Sequence, residues 1–198
     1  MRTIGITGGV GSGKTAVLAY IKEHYNCQVL LADELAHKVR EPGGSCYEVL
    51  TELLGKEVLA PDGKFDRRKM AEKIFGQTEL LKQVNGIIHP MVRKEILLEI
   101  DRQKKEEKID FLFVEAALLI EGGYEKVLDE LWYIYADEAK RRQRLKESRG
   151  YSDEKVSGIV NQQLSEEEFR LHCSIVIDNS GSLEDTYRQI DRKLEEYL

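Results

Sequence analysis

The 198-residue chain is acidic, with 30 Lys and Arg against 36 Asp and Glu and a formal net charge of -6. At 41% hydrophobic and 33% charged residues it has the composition of a globular protein with its own core, and its length suits one domain with elaborations. The acidic balance excludes a general binder of nucleic acid, so any recognition of phosphate must be local.

The termini and the cysteines indicate a cytoplasmic protein without a membrane partner. The first residues run into glycines without the apolar stretch and cleavage site of a signal peptide. The longest apolar run, residues 111–120, is interrupted by Glu115 and is too short to span a bilayer. The three cysteines are widely spaced and lack a C-x-x-C pair, which favours reduced thiols over a disulfide frame or a zinc site.

Short apolar runs rich in β-branched or aromatic residues alternate with segments of helical periodicity. Because parallel strands need crossover connections, this alternation predicts a parallel sheet covered by helices on both faces. The predicted strands are residues 3–7, 28–31, 109–115, 131–136 and 174–178. The predicted helices are residues 14–25, 34–40, a long stretch through 79–103, 138–148, 153–164 and 183–197.

Two segments depart from simple alternation. Residues 32–108 separate the second predicted strand from the third, far more than the ~10–12 residues of a minimal crossover. This insertion contains all three prolines of the chain, Pro42, Pro61 and Pro90, which we interpret as breaks between helices. It predicts a helical subdomain at the edge of the sheet. A second helical excursion, residues 138–172, separates the fourth and fifth strands.

Residues 8–15, which we call the phosphate loop, fit the pattern G-x-x-x-x-G-K-[ST] between an apolar strand and a helix. Glycines let successive backbone N–H groups turn inward around phosphate oxygens, and the helix N-terminus adds partial positive charge. Lys14 would neutralise the β- and γ-phosphates, and the Thr15 hydroxyl would ligate Mg2+. The predicted nucleoside triphosphate site comprises Gly8, Gly9, Gly11, Ser12, Gly13, Lys14, Thr15 and Ala16.

The rest of the sequence narrows the class of nucleotide-binding protein. It lacks the Asn-Lys-x-Asp motif with which regulatory GTPases read guanine. A larger ATPase or motor is expected to have an apolar strand ending in Asp and a longer chain, whereas the run 111–115 ends in Glu115. A small kinase with a helical acceptor region and a lid suits the length best. The alternatives are another metabolite or nucleotide kinase and a degenerate nucleotide-binding regulator.

Asp33 follows the second predicted strand, at the sheet edge where open α/β sheets bind ligands. A carboxylate at this place would lie beside the phosphate loop and orient an acceptor hydroxyl. It would serve equally well as the N-cap of the next helix. The spacing alone does not choose between these roles.

A second cationic feature is the basic segment at residues 140–149, which Asp137 precedes as a candidate N-cap. Arg141 and Arg144 share one helix face at i,i+3. The segment is either a solvated face paired with the acidic residues 166–168, or a lid whose arginines close over phosphates and exclude water. In the second case Arg144 is the first candidate for catalysis and Arg141 the second.

Together these motifs resemble the dephospho-CoA kinase family over nearly the whole chain. The phosphate loop alone is unspecific, but its occurrence in order with Ala32-Asp33, His89-Pro90 and Ile177-Asp178-Asn179 is highly specific. Further matches are His37, residues 41–43, Asp62-Gly63, Arg67, residues 74–75 and 85–88, Leu118-Leu119, Glu121, Arg144, Gln163 and Ser180-Gly181.

The resemblance implies transfer of the γ-phosphoryl group of ATP to the ribose 3'-hydroxyl of dephospho-CoA, with Mg2+, giving coenzyme A and ADP. It implies the α/β fold of P-loop kinases, with three layers and a five-stranded parallel sheet in one domain. The core would comprise about residues 1–33, 109–137 and 174–198, with an acceptor-binding insertion at 34–108 and a lid at 138–173. We expect a monomer or a weak homo-oligomer.

The resemblance also implies roles for individual residues. Asp33, Lys14, Arg144 and Arg141 would be catalytic, and Thr7, Asp33, His37 and His89 would bind the acceptor. Asn179 and Gly181 would contact adenine, although Asn and Gly are equally typical of a turn between a strand and a helix. His89 precedes proline, which favours extended backbone, and for both histidines packing is the alternative role.

Three residues depart from the family pattern. Leu31 replaces the first Asp of a common Asp-Ala-Asp triplet, Glu115 ends the third strand where Asp is common, and Phe169 stands where Lys is frequent.

Within the insertion, Arg67 and Arg68 are candidates to bind anionic groups of the acceptor. Many lysines are candidates too, and the sequence does not choose among them.

Overall fold

The computed structural model describes all 198 residues as two compact units. The first unit joins Met1–Val29 to Gln103–Leu198, and the second is the continuous segment Leu30–Arg102. The second unit overlaps the region where the sequence predicts a helical insertion. Among the helices, none combines the length and the apolar character that crossing a bilayer requires.

The predicted five-stranded parallel sheet is confirmed. Its strands are β1 (Arg2–Thr7), β2 (Cys27–Leu31), β3 (Phe111–Glu115), β4 (Glu130–Tyr135) and β5 (Ile175–Asp178). They are ordered β2-β3-β1-β4-β5, and β1 pairs in parallel with both β3 and β4. Ile6 lies opposite Glu115, so β1 and β3 end at the same edge. The phosphate loop therefore starts beside the last residue of β3.

The chain has nine α-helices, three more than the periodicity resolved individually. They are α1 (Lys14–His24), α2 (Ala32–Lys38), α3 (Tyr47–Leu54), α4 (Arg67–Ile74), α5 (Thr78–Glu106), α6 (Glu138–Arg149), α7 (Asp153–Asn161), α8 (Glu166–His172) and α9 (Leu183–Glu195). The additional helices α3, α4 and α8 lie in segments predicted to be helical as a whole. Short 3-10 turns occupy Lys56–Val58 and Tyr124–Lys126.

The core of the first unit lies on the three central strands. Their side chains are buried on both faces, as expected for a parallel sheet covered by helices. Eight apolar residues of these strands are at most 1% exposed, namely Ile4, Ile6, Phe111, Leu112, Phe113, Val114, Trp132 and Ile134. Because each such side chain contributes about 1.5–3 kcal/mol by its burial, the strand ends that carry the phosphate loop and Glu115 have a rigid base.

The long helix α5 corrects two expectations about Pro90. The helix continues through Pro90, which therefore does not separate two helices, and His89 is helical instead of extended. An internal proline destabilises a helix by about 3 kcal/mol. Burial of each large apolar side chain stabilises the fold by about 1.5–3 kcal/mol. Buried residues recur at every fourth position on both sides of the proline, at Val84, Ile88, Val92, Ile96 and Ile100.

The core also accounts for Phe169 and for two of the cysteines. The Phe169 ring stacks on Tyr133, with ring centroids 4.6 Å apart and planes at 9°. An apolar residue is therefore favoured at this position. Cys46 and Cys173 are buried free thiols. Burial raises the pKa of Cys173 to about 12, which keeps it protonated at neutral pH.

Candidate active site

The phosphate loop joins β1 to α1, as the sequence predicts. Two of its glycines are closely approached by side chains of other chain segments. A Cβ atom on Gly9 would lie 2.3 Å from the Arg141 guanidinium, and one on Gly13 would lie 2.2 Å from Asn179 Nδ2. Gly13 also has a φ of 93°, which L-residues with a side chain rarely adopt. A side chain at Gly9 would displace the Arg141 guanidinium, and one at Gly13 would displace the Asn179 amide.

The Lys14 ammonium lies at the junction of the phosphate loop and β3. It donates a hydrogen bond to the Gly8 carbonyl oxygen at 2.7 Å and lies 3.8 Å from Glu115 Oε1. The Lys14 and Glu115 side chains are only 16% and 20% exposed, so the electrostatic interactions of this cation are weakly screened by solvent. Glu115, a departure from the family pattern, therefore reaches the phosphate loop.

Two arginines of α6 contact the backbone of the phosphate loop. Arg141 Nε donates to the Val10 carbonyl oxygen at 3.1 Å, and a second Arg141 nitrogen donates to Gln163. Arg144 donates to the carbonyl oxygen of Ser12 at 3.3 Å and to that of Asn179 at 2.9 Å. The i,i+3 face predicted for these arginines is therefore the face that lies on the loop.

The opposite side of α6 forms ordinary surface pairs. Arg142 pairs with Glu138 at 2.7 Å, and Glu166 pairs with Arg170 within its own helix. The basic segment at residues 140–149 therefore does not pair with residues 166–168, contrary to the solvated-face alternative. Asp137 occupies the N-cap position of α6, but it makes no capping hydrogen bond, because its carboxylate accepts one from the Tyr135 hydroxyl at 2.8 Å.

Asn179 holds the turn after β5 against the phosphate loop. Its buried side chain donates from Nδ2 to the Ser12 carbonyl oxygen at 2.7 Å, and its Oδ1 accepts from the Thr186 hydroxyl at 3.0 Å. The side-chain amide predicted to contact adenine thus makes its hydrogen bonds within the protein. The exposed Gly181 leaves the backbone of the turn accessible. No sequence pattern distinguishes this use of Asn179 from a turn residue.

Two buried hydroxyl groups, one on the residue before the phosphate loop and one within it, have no hydrogen-bond partner. Thr7 and Ser12 are each 1% exposed, and neither side-chain oxygen is paired. A buried hydroxyl without a partner costs about 1–3 kcal/mol. The Thr7 side chain, which the resemblance assigns to the acceptor site, is thus enclosed by protein. The Thr15 residue at the start of α1 is exposed, while the backbone N–H of Ala16 bonds to the Gly13 carbonyl oxygen.

Asp33 lies in the first turn of α2, in the second unit. The helix begins at Ala32, two residues earlier than predicted, and its N-cap is Leu31 without a side-chain capping bond. The capping role considered for Asp33 is therefore contradicted. Its residue is exposed and its carboxylate forms no hydrogen bond or ion pair, so it is available to a ligand.

The second unit also brings His37 together with two arginines. His37 contacts Arg40 and Arg67, at 3.1 and 2.9 Å from its two ring nitrogens. His89 is exposed on α5 and has no polar contact of its own. Sequence reasoning missed Arg40, although its spacing of three residues from His37 and seven from Asp33 is a helical signal for one shared face.

Comparison with known proteins supports the resemblance over most of the chain. A family model described as dephospho-CoA kinase matches residues 2–185. A dephospho-CoA kinase of Dehalococcoides mccartyi is 38% identical over 187 residues, covering 93% of this chain and 92% of the relative. One of Carboxydothermus hydrogenoformans is 37% identical over 188 residues, covering 94% and 90%.

Solved structures share the fold of this chain. Protein TT1252 of Thermus thermophilus has a TM-score of 0.81 at 34% identity, over 100% of this chain and 98% of that chain. A shikimate kinase of Acinetobacter baumannii has a TM-score of 0.54 at 13% identity, over 100% and 96%, and shows the fold alone. The family match and the curated relatives establish that this chain is a kinase and that it belongs to the dephospho-CoA kinase family.

Proposed function

We propose that the protein transfers the γ-phosphoryl group of ATP to the ribose 3'-hydroxyl of dephospho-CoA, in the cytoplasm, giving coenzyme A and ADP. The observation that carries the proposal is the convergence of Lys14, Arg141 and Arg144 on one phosphate loop in a chain of this family. Three cations around a loop of backbone donors form a site for a highly charged phosphate ester.

The three cations suit the electrostatics of phosphoryl transfer. The transition state is loose and spreads charge over the phosphoryl oxygens, so positioned positive charge contributes most of the catalysis. Lys14 would neutralise the β- and γ-phosphates. Arg141 and Arg144 lie on the other side of the loop, where α6 would cover the phosphates and exclude water. That exclusion would suppress hydrolysis of the nucleotide.

We propose that Mg2+ accompanies ATP, with the Thr15 hydroxyl as a ligand. The oxygen donors present fit this ion, since Thr15 is exposed beside the loop and the Glu115 carboxylate lies near Lys14. The ion would supply further positive charge toward the phosphate oxygens. We assign adenine to the turn at residues 178–181, through its backbone and Gly181.

We propose that Asp33 is the catalytic carboxylate and that it orients the acceptor hydroxyl. The free, exposed carboxylate and the family resemblance support this role. A carboxylate is a weak base for a ribose hydroxyl, so we expect Asp33 to accept a hydrogen bond first and the proton late in the transfer. General-base help of this kind is worth about 10²–10⁴-fold.

Acceptor-dependent release of ADP tests this function. With ATP and Mg2+ present, the purified chain should release ADP rapidly when dephospho-CoA is added. It should release little ADP with no acceptor, because α6 would exclude water from the phosphates. It should also release little ADP with shikimate, which lacks the ribose of dephospho-CoA. A coupled assay of ADP measures all three rates. Equal rates with and without dephospho-CoA, or no turnover at all, would contradict the proposed kinase activity.

A further inference from the structure

Three side chains of the second unit form a group that we call the His37 cluster: His37, Arg40 and Arg67. The Arg40 guanidinium lies 3.1 Å from His37 Nδ1, and the Arg67 guanidinium lies 2.9 Å from His37 Nε2. A further hydrogen bond, which Arg40 Nε donates to the Ala36 carbonyl oxygen at 2.7 Å, holds the Arg40 side chain in place. The imidazole therefore lies between two cations.

The His37 cluster has more hydrogen-bond donors than acceptors. A guanidinium only donates, and a neutral imidazole has one acceptor nitrogen and one N–H donor. At one of the two contacts, donors therefore face each other. Partial desolvation of the ring, and then the charges of Arg40 and Arg67, lower the pKa of His37 although the residue is largely exposed. Protonation of His37 would leave no acceptor nitrogen on the ring. An anion bound among the three side chains would supply oxygens that accept from all of them.

Neither of these two arginines forms an ion pair with a carboxylate, although Asp33 acts on Arg40 electrostatically. Neither Arg40 nor Arg67 has an acidic oxygen within 4.0 Å, whereas the adjacent Arg68 pairs with Glu72 at 3.5 Å. The nearby Glu41 pairs with Lys64 at 3.5 Å. The structure thus distinguishes Arg67 from Arg68, which the sequence did not. Arg67 is exposed, so its unneutralised guanidinium is accessible to a ligand.

We propose that the His37 cluster binds the 5'-diphosphate group of the acceptor, an inference that rests on the proposed function. Forked guanidinium donors match phosphate oxygens in geometry and charge. Asp33 and His37 are four residues apart on α2, one helical turn or ~6 Å along the axis, and share a face. On a single ribose the 3'-hydroxyl and the 5'-phosphate are close neighbours, so one helix face presents a carboxylate to the hydroxyl and cations to the diphosphate.

The assignment makes Arg67 and Arg40 determinants of acceptor specificity. They would favour acceptors with a phosphorylated 5'-position over adenosine, which offers the same ribose hydroxyls without the diphosphate. Since they bind a part of the acceptor away from the reacting atoms, their loss should raise the KM for dephospho-CoA more than it lowers kcat. The KM for ATP should change little.

Titration calorimetry with the full-length protein tests the inference without requiring turnover. Arg67→Ala should weaken the binding of dephospho-CoA about 10–100-fold, the range for a lost hydrogen bond between charged groups, and leave adenosine binding unchanged. Arg68→Ala is the matched control and should bind both ligands as the wild type does. Arg40→Lys, which keeps one charge and limits the disturbance of a half-buried site, should show a smaller loss than Arg67→Ala.

Different outcomes separate this inference from the proposed function. Unchanged dephospho-CoA affinity in Arg67→Ala would overturn the diphosphate site, even if the wild type phosphorylates dephospho-CoA. An Arg67→Ala variant that loses only binding of inorganic phosphate would overturn it too, by showing a site for the free anion. A wild type that binds dephospho-CoA through Arg67 but does not phosphorylate it would support the site and contradict the proposed activity.

Discussion

Replacement of Lys14 by alanine is expected to lower kcat by about 10³-fold or more, the scale associated with losing a cation on the transferred phosphoryl group. The Lys14 ammonium is held by the Gly8 carbonyl oxygen at 2.7 Å and is mostly buried, so water cannot substitute for its charge effectively. Because the transition state depends more on charge than on proton removal, the loss should equal or exceed that of Asp33→Ala.

Steady-state assays of both variants with saturating ATP and dephospho-CoA measure this order of effects. Lys22→Ala is the control, because Lys22 is an exposed lysine on the same helix, and its kcat should match that of the wild type. A larger loss for Asp33→Ala than for Lys14→Ala would mean that base strength contributes more than the electrostatics of the phosphate loop.

Removal of Arg144 is expected to have the second largest effect, lowering kcat by about 10³-fold. Its guanidinium bonds to the Ser12 and Asn179 carbonyl oxygens, so it combines positive charge with a tie between the phosphate loop and the β5–α9 turn. Arg144→Ala loses both. Arg144→Lys retains the charge without the planar fork of donors and should recover only part of the activity.

Circular dichroism and kcat, measured on the same preparations, separate a catalytic effect from a folding defect. Arg144→Ala should keep the wild-type spectrum, because the buried core of the sheet does not depend on it. Arg149→Ala, at the end of the same helix and without a hydrogen bond to the phosphate loop, should have normal activity. An unchanged kcat in Arg144→Ala would show that α6 is not part of the catalytic machinery.

The sequence predicts well those features that depend on a short local pattern of residues. The five apolar runs became the five strands, and the three central strands are buried on both faces, which requires an uninterrupted apolar segment. The loop from Gly8 to Thr15 is similarly local. Pro90 shows the limit of such reasoning, since the stripe of buried residues on both sides of it outweighs its cost to the helix.

The parts of the site that the sequence did not predict are contacts between distant segments. The bond from Asn179 to Ser12 spans 167 positions, and that from Arg67 to His37 spans 30. Neither has a spacing rule. The two roles considered for Asp33 likewise depended on where α2 begins, and a two-residue shift of that boundary removed the capping role. Boundaries of this kind are set by packing more than by residue preference.

Phosphorus NMR of the reaction products measures directly where the phosphoryl group goes. With ATP, Mg2+ and dephospho-CoA, we predict one new phosphomonoester signal, assigned to the ribose 3'-position, that grows in equal amounts with ADP. Little inorganic phosphate should form. Accumulation of inorganic phosphate in place of the monoester, or a monoester at another position, would contradict transfer to the 3'-hydroxyl of dephospho-CoA by this site.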